Sequence, residues 1–209
     1  MPLLLSLADG PGDQLFWTDC IHGAVAIGNP STGKFKAIAG GLNRPVAALM
    51  SSDGSKLFVA EYAGGQITAI SLADGAKTVL TKDLEGPLAL TIIDGTLYVA
   101  EAKPGRISKV DPASGKKEVF VSSMVGKPVA IAGDGQGNLL VLDGAGQKII
   151  RINPKTLALD LVAKDVPVGY SPIGSYPSVE FPSPMAVSAE GDIYVTTANR
   201  GLIELKKVK

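Results

Sequence analysis

Four carboxylates stand at equivalent places along the chain: Asp19, Glu61, Glu101 and Asp143, each four residues after a leucine (Leu15, Leu57, Leu97 and Leu139). If the segments carrying them are arranged around an axis, these groups converge on one rim. A converging set of carboxylates can hold a divalent cation through oxygen or act as a general base. The plainer reading, and the stronger one, is that each accepts hydrogen bonds from neighbouring loop backbone and holds one repeat to the next. A binding or catalytic role calls for asymmetry, and Thr197 supplies some, because it stands where a fifth carboxylate would fall.

His22 is the only histidine, and it lies beside Asp19 and Cys20, the only cysteine. A His/Cys/Asp set can ligate a transition metal or pair a base with a nucleophile, but three residues crowded into one tight loop rarely aim at a single point. The lone cysteine allows no intramolecular disulfide and leaves the redox compartment open. A further candidate lies in residues 165–183, where Tyr170, Tyr176 and Phe181 are of a type to stack on a sugar, an aromatic ligand or a peptide. The alternative for these rings is to plug a channel mouth or seal a wide joint.

The elements that position these residues follow from periodicity. The anchors Leu15, Leu57, Leu97, Leu139 and Ile193 succeed one another at intervals of 42, 40, 42 and 54 residues. Val25, Ile67, Ile107 and Ile149 each follow their anchor by ten residues, and Leu202 follows Ile193 by nine. Residues 87–121 show the whole unit: a strand from Pro87, a turn at Asp94-Gly95, the apolar run Leu97-Tyr98-Val99-Ala100 ending in Glu101, an alternating run from Arg106, a turn at Asp111-Pro112-Ala113-Ser114-Gly115, and a last strand from Lys117. Four short strands repeating at about 40 residues predict an all-β chain: a β-propeller of four-stranded antiparallel blades, one domain over residues 1–209. Five second strands, five third strands and four fourth strands predict five blades with an incomplete last one.

Local chemistry agrees. Proline opens the inner strands at Pro45, Pro87, Pro128 and Pro184, and a strand-initial position can dispense with the N–H that proline lacks. Turns of the type Asn29-Pro30-Ser31-Thr32-Gly33 set φ with proline and use glycine where φ is positive. Trp17 is placed in a packed joint between blades, so its loss is expected to cost about 3–5 kcal/mol.

Twenty basic side chains balance twenty acidic ones, and neither sign forms a long block, so neither nucleic acid nor membrane is an expected partner. The opening Met1-Pro2-Leu3-Leu4-Leu5-Ser6-Leu7 lacks a basic n-region and reads as a first strand rather than a signal peptide. No apolar run approaches the roughly 18 residues of a membrane span. No compartment is assigned.

The Leu15-Phe16-Trp17-Thr18-Asp19 run resembles a YWTD-type blade motif. More broadly, Pro-x-Ala followed by Gly-x-Leu-Tyr-Val-Ala-Glu and Gly-x-Ile-x-x-Val, as over residues 87–110, looks like the NHL-repeat group and the related gluconolactonase and strictosidine-synthase-like propellers. That resemblance implies a ring, usually of six blades, whose second-to-third-strand loops and blade-connecting loops share the functional face. On that face it places Asp19, His22, Glu61, Tyr62, Glu101, Asp143, Tyr170 and Tyr176 as candidate ligand-binding residues. The gluconolactonase likeness also implies a divalent cation, typically calcium, held over the channel with the help of an acidic residue near the start of an inner strand. Here Arg44, Gly86, Lys127 and Ser183 precede those strands. None is acidic, so no catalytic residue is carried over.

The leading expectation is a scaffold without a cofactor that recognises a small molecule or protein partner on its loop face. The second is a calcium-dependent lactone or ester hydrolase. A closed ring is expected to be a monomer, and an open one to dimerise through a bare blade face.

Overall fold

β-branched and aromatic residues alternate with small ones in runs of five or six, and Asp-Gly or Asn-Pro pairs punctuate them, so the chain folds as hairpin after hairpin. The computed structural model describes residues 4–122, 126–168, 184–196 and 201–206. The first blade comprises β1 (Leu4–Asp9), β2 (Leu15–Asp19), β3 (Ala24–Asn29) and β4 (Lys34–Ala39). The second comprises β5 (Pro45–Met50), β6 (Lys56–Glu61), β7 (Gln66–Ser71) and β8 (Lys77–Thr81). The third comprises β9 (Pro87–Ile93), β10 (Thr96–Glu101), β11 (Arg106–Val110) and β12 (Lys117–Val121), and the fourth β13 (Pro128–Gly133), β14 (Leu139–Asp143), β15 (Lys148–Ile152) and β16 (Leu159–Ala163). The fifth has three strands, β17 (Met185–Val187), β18 (Ile193–Thr196) and β19 (Leu202–Leu205). Every sheet pairs its strands antiparallel in chain order, and the five sheets form a five-bladed β-propeller.

The inner strands share one irregularity that bears on the functional face. Pro45 pairs with Glu61, Pro87 with Glu101 and Pro128 with Asp143, and the register slips at that step in each blade. The bulge falls where proline has no N–H to give the ladder. As a result, the carboxylates at the ends of these three second strands, Glu61, Glu101 and Asp143, face the segment arriving from the previous blade.

Packing holds the blades in sequence. Phe16, Val25 and Ile27 of the first blade lock against Ala48, Leu57, Val59 and Ile70 of the second. Phe58, Leu88, Leu97, Leu140, Leu142, Ile193 and Val195 belong to one cluster that runs through blades two to five. Ile107 and Val121 of blade three meet Ile131, Val141 and Ile150 of blade four. Each such side chain contributes about 1.5–3 kcal/mol relative to exposure.

Trp17 departs from expectation. Strand β2 alternates, so Phe16 and Thr18 point to the second blade while Trp17 points the other way. There it makes an edge contact with Phe35, 5.5 Å between ring centroids, and Phe35 is itself 72 % exposed. Leu7, opposite Trp17 in the ladder, is 67 % exposed. Among the described residues, no buried cluster joins the fifth blade to this face of the first, so Trp17 is only partly covered.

Candidate functional site

The loops after the second strands and the connections between blades emerge together, and the carboxylates sit beneath them. Glu101 is fully buried. One of its oxygens accepts from Glu85 N–H at 2.7 Å and Arg106 Nη2 at 2.7 Å; the other accepts from Arg106 Nε at 2.8 Å and from the Ser108 hydroxyl. Arg106 also lies 3.3 Å from Glu85. Glu61 repeats the arrangement, accepting from Asn43 N–H at 2.5 Å, from Gln66 Nε2 at 2.9 Å and from the Thr68 hydroxyl. Asp143 accepts from the N–H groups of Gly126, Lys127, Ala145 and Gly146 at 2.9–3.1 Å, with Lys148 3.9 Å away.

These three carboxylates tie the incoming segment of each blade to its second strand. Side-chain length dictates how. The longer glutamates reach a hydroxyl seven residues on, at Thr68 or Ser108, whereas the shorter aspartate turns to the N–H groups of its own loop. Burial pushes both Glu101 and Asp143 up, but the bonds they accept outweigh it and hold both carboxyls below the usual range.

Asp19 differs. It accepts from Ile21 and His22 N–H, both at 3.1 Å, and from His22 Nδ1 at 2.6 Å, all within one loop. His22 is exposed. Cys20 is buried, and burial pushes its thiol up despite the nearby charge of Arg44, so it is no ready nucleophile. Asp19 and His22 therefore form a hydrogen-bonded surface pair with Cys20 turned inward.

A calcium site of the kind the resemblance implies does not fit this donor set. The oxygens of Glu61, Glu101 and Asp143 are committed to protein donors. Among the described residues, no group of three His, Cys, Asp or Glu side chains is placed to hold a metal ion.

Asymmetry appears elsewhere on the face. Tyr62, Arg44 and Lys103 come from three loops; Tyr62 and Lys103 break the repeat, whereas Arg44 has a basic counterpart in Lys127 of the fourth blade. Tyr62 stands where blades three and four have Ala102 and Gly144, Arg44 where blade three has Gly86, and Lys103 where its neighbours have Ala63 and Ala145. The Arg44 guanidinium lies 5.5 Å and the Lys103 ammonium 5.4 Å from the centre of the Tyr62 ring, a geometry in which each cation is attracted to the ring. Tyr62 N–H also donates to the Arg44 carbonyl at 3.0 Å, fixing the two loops together.

Arg44 holds φ at 56°, the left-handed region that Gly86 occupies at 67°. A Cβ at Gly86 would stand 3.1 Å from both Lys103 Cγ and Tyr62 Cε2, so both side chains would have to shift by a few tenths of an ångström to admit one. Sequence reading selected Tyr62 but left Arg44 and Lys103 out of the ligand set. The signal for Lys103 is its departure from the Ala63 and Ala145 of its neighbours; Arg44 carries no such mark, since Lys127 stands at its place in the fourth blade. Tyr170 and Tyr176 lie outside the described residues. The long connection that carries them begins with Val166 and Val168 buried against the core, Val166 N–H donating to the Gln147 carbonyl at 2.8 Å.

The inner strands of all five blades surround a central channel of about 580 Å³. At the loop-face end its wall is formed by Val46, Leu88, Val129 and Pro184, and at the other end by Asp9, Leu15 and Met50.

No family model matches the sequence, and no curated protein matches it. Solved structures share the fold. The chain superposes on the structure of a nidogen/laminin complex with a TM-score of 0.80 and 15 % identity, over 97 % of this chain and 75 % of that one. A streptogramin B lyase gives 0.71 and 15 %, over 99 % and 69 %. Virginiamycin B lyase from Staphylococcus aureus gives 0.70 and 15 %, over 99 % and 70 %. At such identity the likeness defines a class, the β-propellers, and nothing narrower.

Proposed function

We propose that this propeller is a recognition scaffold that binds a small molecule or a protein partner on its loop face. The observation that carries this reading is the meeting of Arg44, Tyr62 and Lys103 at one corner of the loop face. An L-residue held in the left-handed region costs about 1–2 kcal/mol. Asp83, Asp94, Gln147, Leu157 and Asp165 share that conformation, so it is the chemistry of the corner rather than its strain that supports the reading. An aromatic ring beside two cations is suited to contact with planar or anionic groups, whereas the carboxylate rim below is occupied with holding loops. The similar structures include both a complex between proteins and lyases, so likeness favours neither use, and the corner is what supports recognition.

The test is a thermal-unfolding panel of chemically varied small acids, bases and neutral compounds against the native chain and Tyr62→Ser. A ligand that binds the folded state raises its apparent stability by linkage, about 2.7 kcal/mol at a concentration a hundred times Kd. The expected result is at least one compound whose stabilising effect is present in the native chain and absent from Tyr62→Ser. Stabilisation that survives the substitution for every active compound contradicts the reading.

A further inference from the structure

The two mouths of the central channel differ in charge. At the mouth away from the loop face, the five turns joining inner to second strands each carry an acidic residue: Asp13, Asp53, Asp94, Asp134 and, in the last, Glu190 with Asp192. None of these turns carries a lysine or arginine. Arg151 and Lys206 reach in from strand ends to pair with Asp134 at 3.3 Å and Asp192 at 2.9 Å. Asp9, exposed at the end of β1, adds a carboxylate to the channel wall itself at this end. At the loop-face mouth, Arg44 stands two residues before the wall residue Val46, a span of at most about 7 Å along the chain. Lys103 shares the Tyr62 ring with it. Neither Arg44 nor Lys103 enters an ion pair among the described residues. Between the mouths the wall is formed mainly of valine, alanine, leucine and isoleucine.

We infer that the channel and the Arg44–Tyr62–Lys103 corner form one site for an amphiphilic carboxylate, its apolar tail in the channel and its anionic head at the corner. This rests on the recognition reading above and specifies the ligand. The volume falls within the few hundred to a thousand cubic ångströms usual for small-molecule sites, and burial of the tail supplies affinity at about 0.8 kcal/mol per CH₂ group. Charge supplies direction. A carboxylate entering tail first from the loop face ends beside two cations, whereas one entering from the opposite mouth must pass the ring of aspartates. The same polarity selects against a cationic head group.

The experiment is calorimetric titration of the full chain with decanoate, decanol and decylammonium, repeated on Arg44→Gln, on Lys103→Gln and on Ala186→Phe. The last substitution places a ring on the channel wall at a solvent-exposed position. The expected result is that decanoate binds at least about tenfold more tightly than decylammonium, the ratio set by roughly 1.4 kcal/mol of head-group preference. Each glutamine variant should bring decanoate towards decanol without weakening decanol, and Ala186→Phe should weaken all three. Equal binding of the three probes, no binding of decanoate, or decanoate affinity unchanged in both glutamine variants overturns the inference. If a compound of another class shows Tyr62-dependent stabilisation while decanoate fails, recognition at the loop face stands and the amphiphilic carboxylate falls. If neither occurs, both fall.

Discussion

Replacing Phe16 by alanine is expected to cost about 3–5 kcal/mol, the range for large-to-small changes at fully buried aromatic positions. Phe16 has no exposed surface and meets Val25 and Ile27 of its own blade and Leu57, Val59 and Ile70 of the next. The cluster around Phe16 is built mainly from strand residues, so the cavity term adds to the transfer term. Trp17→Ala, one residue on, should cost only about 1–2 kcal/mol, because its face carries the exposed Phe35 and Leu7 rather than a neighbouring blade. Urea unfolding of the two variants checks this, and the order of the two midpoints is the result that matters. If Trp17→Ala is the more damaging, the first blade is packed on both faces and the burial described above is wrong.

Glu101→Ala should lose about 3–5 kcal/mol, as expected when one partner of a buried, hydrogen-bonded charge pair is removed. The change leaves Arg106 beside a void and Glu85 N–H without its acceptor. Glu101→Gln keeps the shape and one acceptor oxygen and should lose less, about 1–2 kcal/mol. The effect depends on pH in a defined sense. The folded-state pKa of Glu101 is depressed, through the Arg106 and Ser108 bonds and the Glu85 N–H prevailing over burial. Its stabilisation is therefore fully present above the ordinary glutamate value of about 4.3 and is lost as pH falls through the lower folded value. The gap between native chain and Glu101→Ala should be constant from neutral pH down to about pH 5 and narrow below that. Chemical unfolding at several pH values measures it, and a gap that widens on acidification would contradict the assignment.

Much of the architecture is legible in the sequence because a repeat writes each of its rules several times. The interval between Leu57 and Leu97, the prolines before the inner strands and the Asn/Asp-Pro turns each recur, and all point to the same hairpins. The orientation of Trp17 was less legible. A blade is covered on both faces when it has two neighbours, so an apolar residue in a second strand carries no mark of which face it takes. The carboxylate series was visible at once, but its division of labour was not. Only geometry shows that Glu61 and Glu101 reach Thr68 and Ser108 while Asp143 bonds its own loop, although the hydroxyl seven residues after each glutamate, missing after each aspartate, is a pattern in the sequence itself.

The corner formed by Arg44, Tyr62 and Lys103 lay further out of reach. Its members come from three loops, and they meet because Arg44 adopts a left-handed backbone that residue type alone does not foretell. The acidic turns at the far mouth are plain in the sequence. Their meaning requires knowing that all five open on the same side of the ring.

If the rim carboxylates are structural and the loop face recognises a ligand rather than hydrolysing one through a metal, the native chain binds no calcium. The melting temperature of the chain in chelator and then in excess calcium tests this most directly, since any cation bound by the native state must raise it. The expected result is the same temperature in both buffers. A clear rise with calcium would show that oxygens assigned here to loop backbone instead hold a cation, and would put the metal-dependent hydrolase in place of the recognition scaffold.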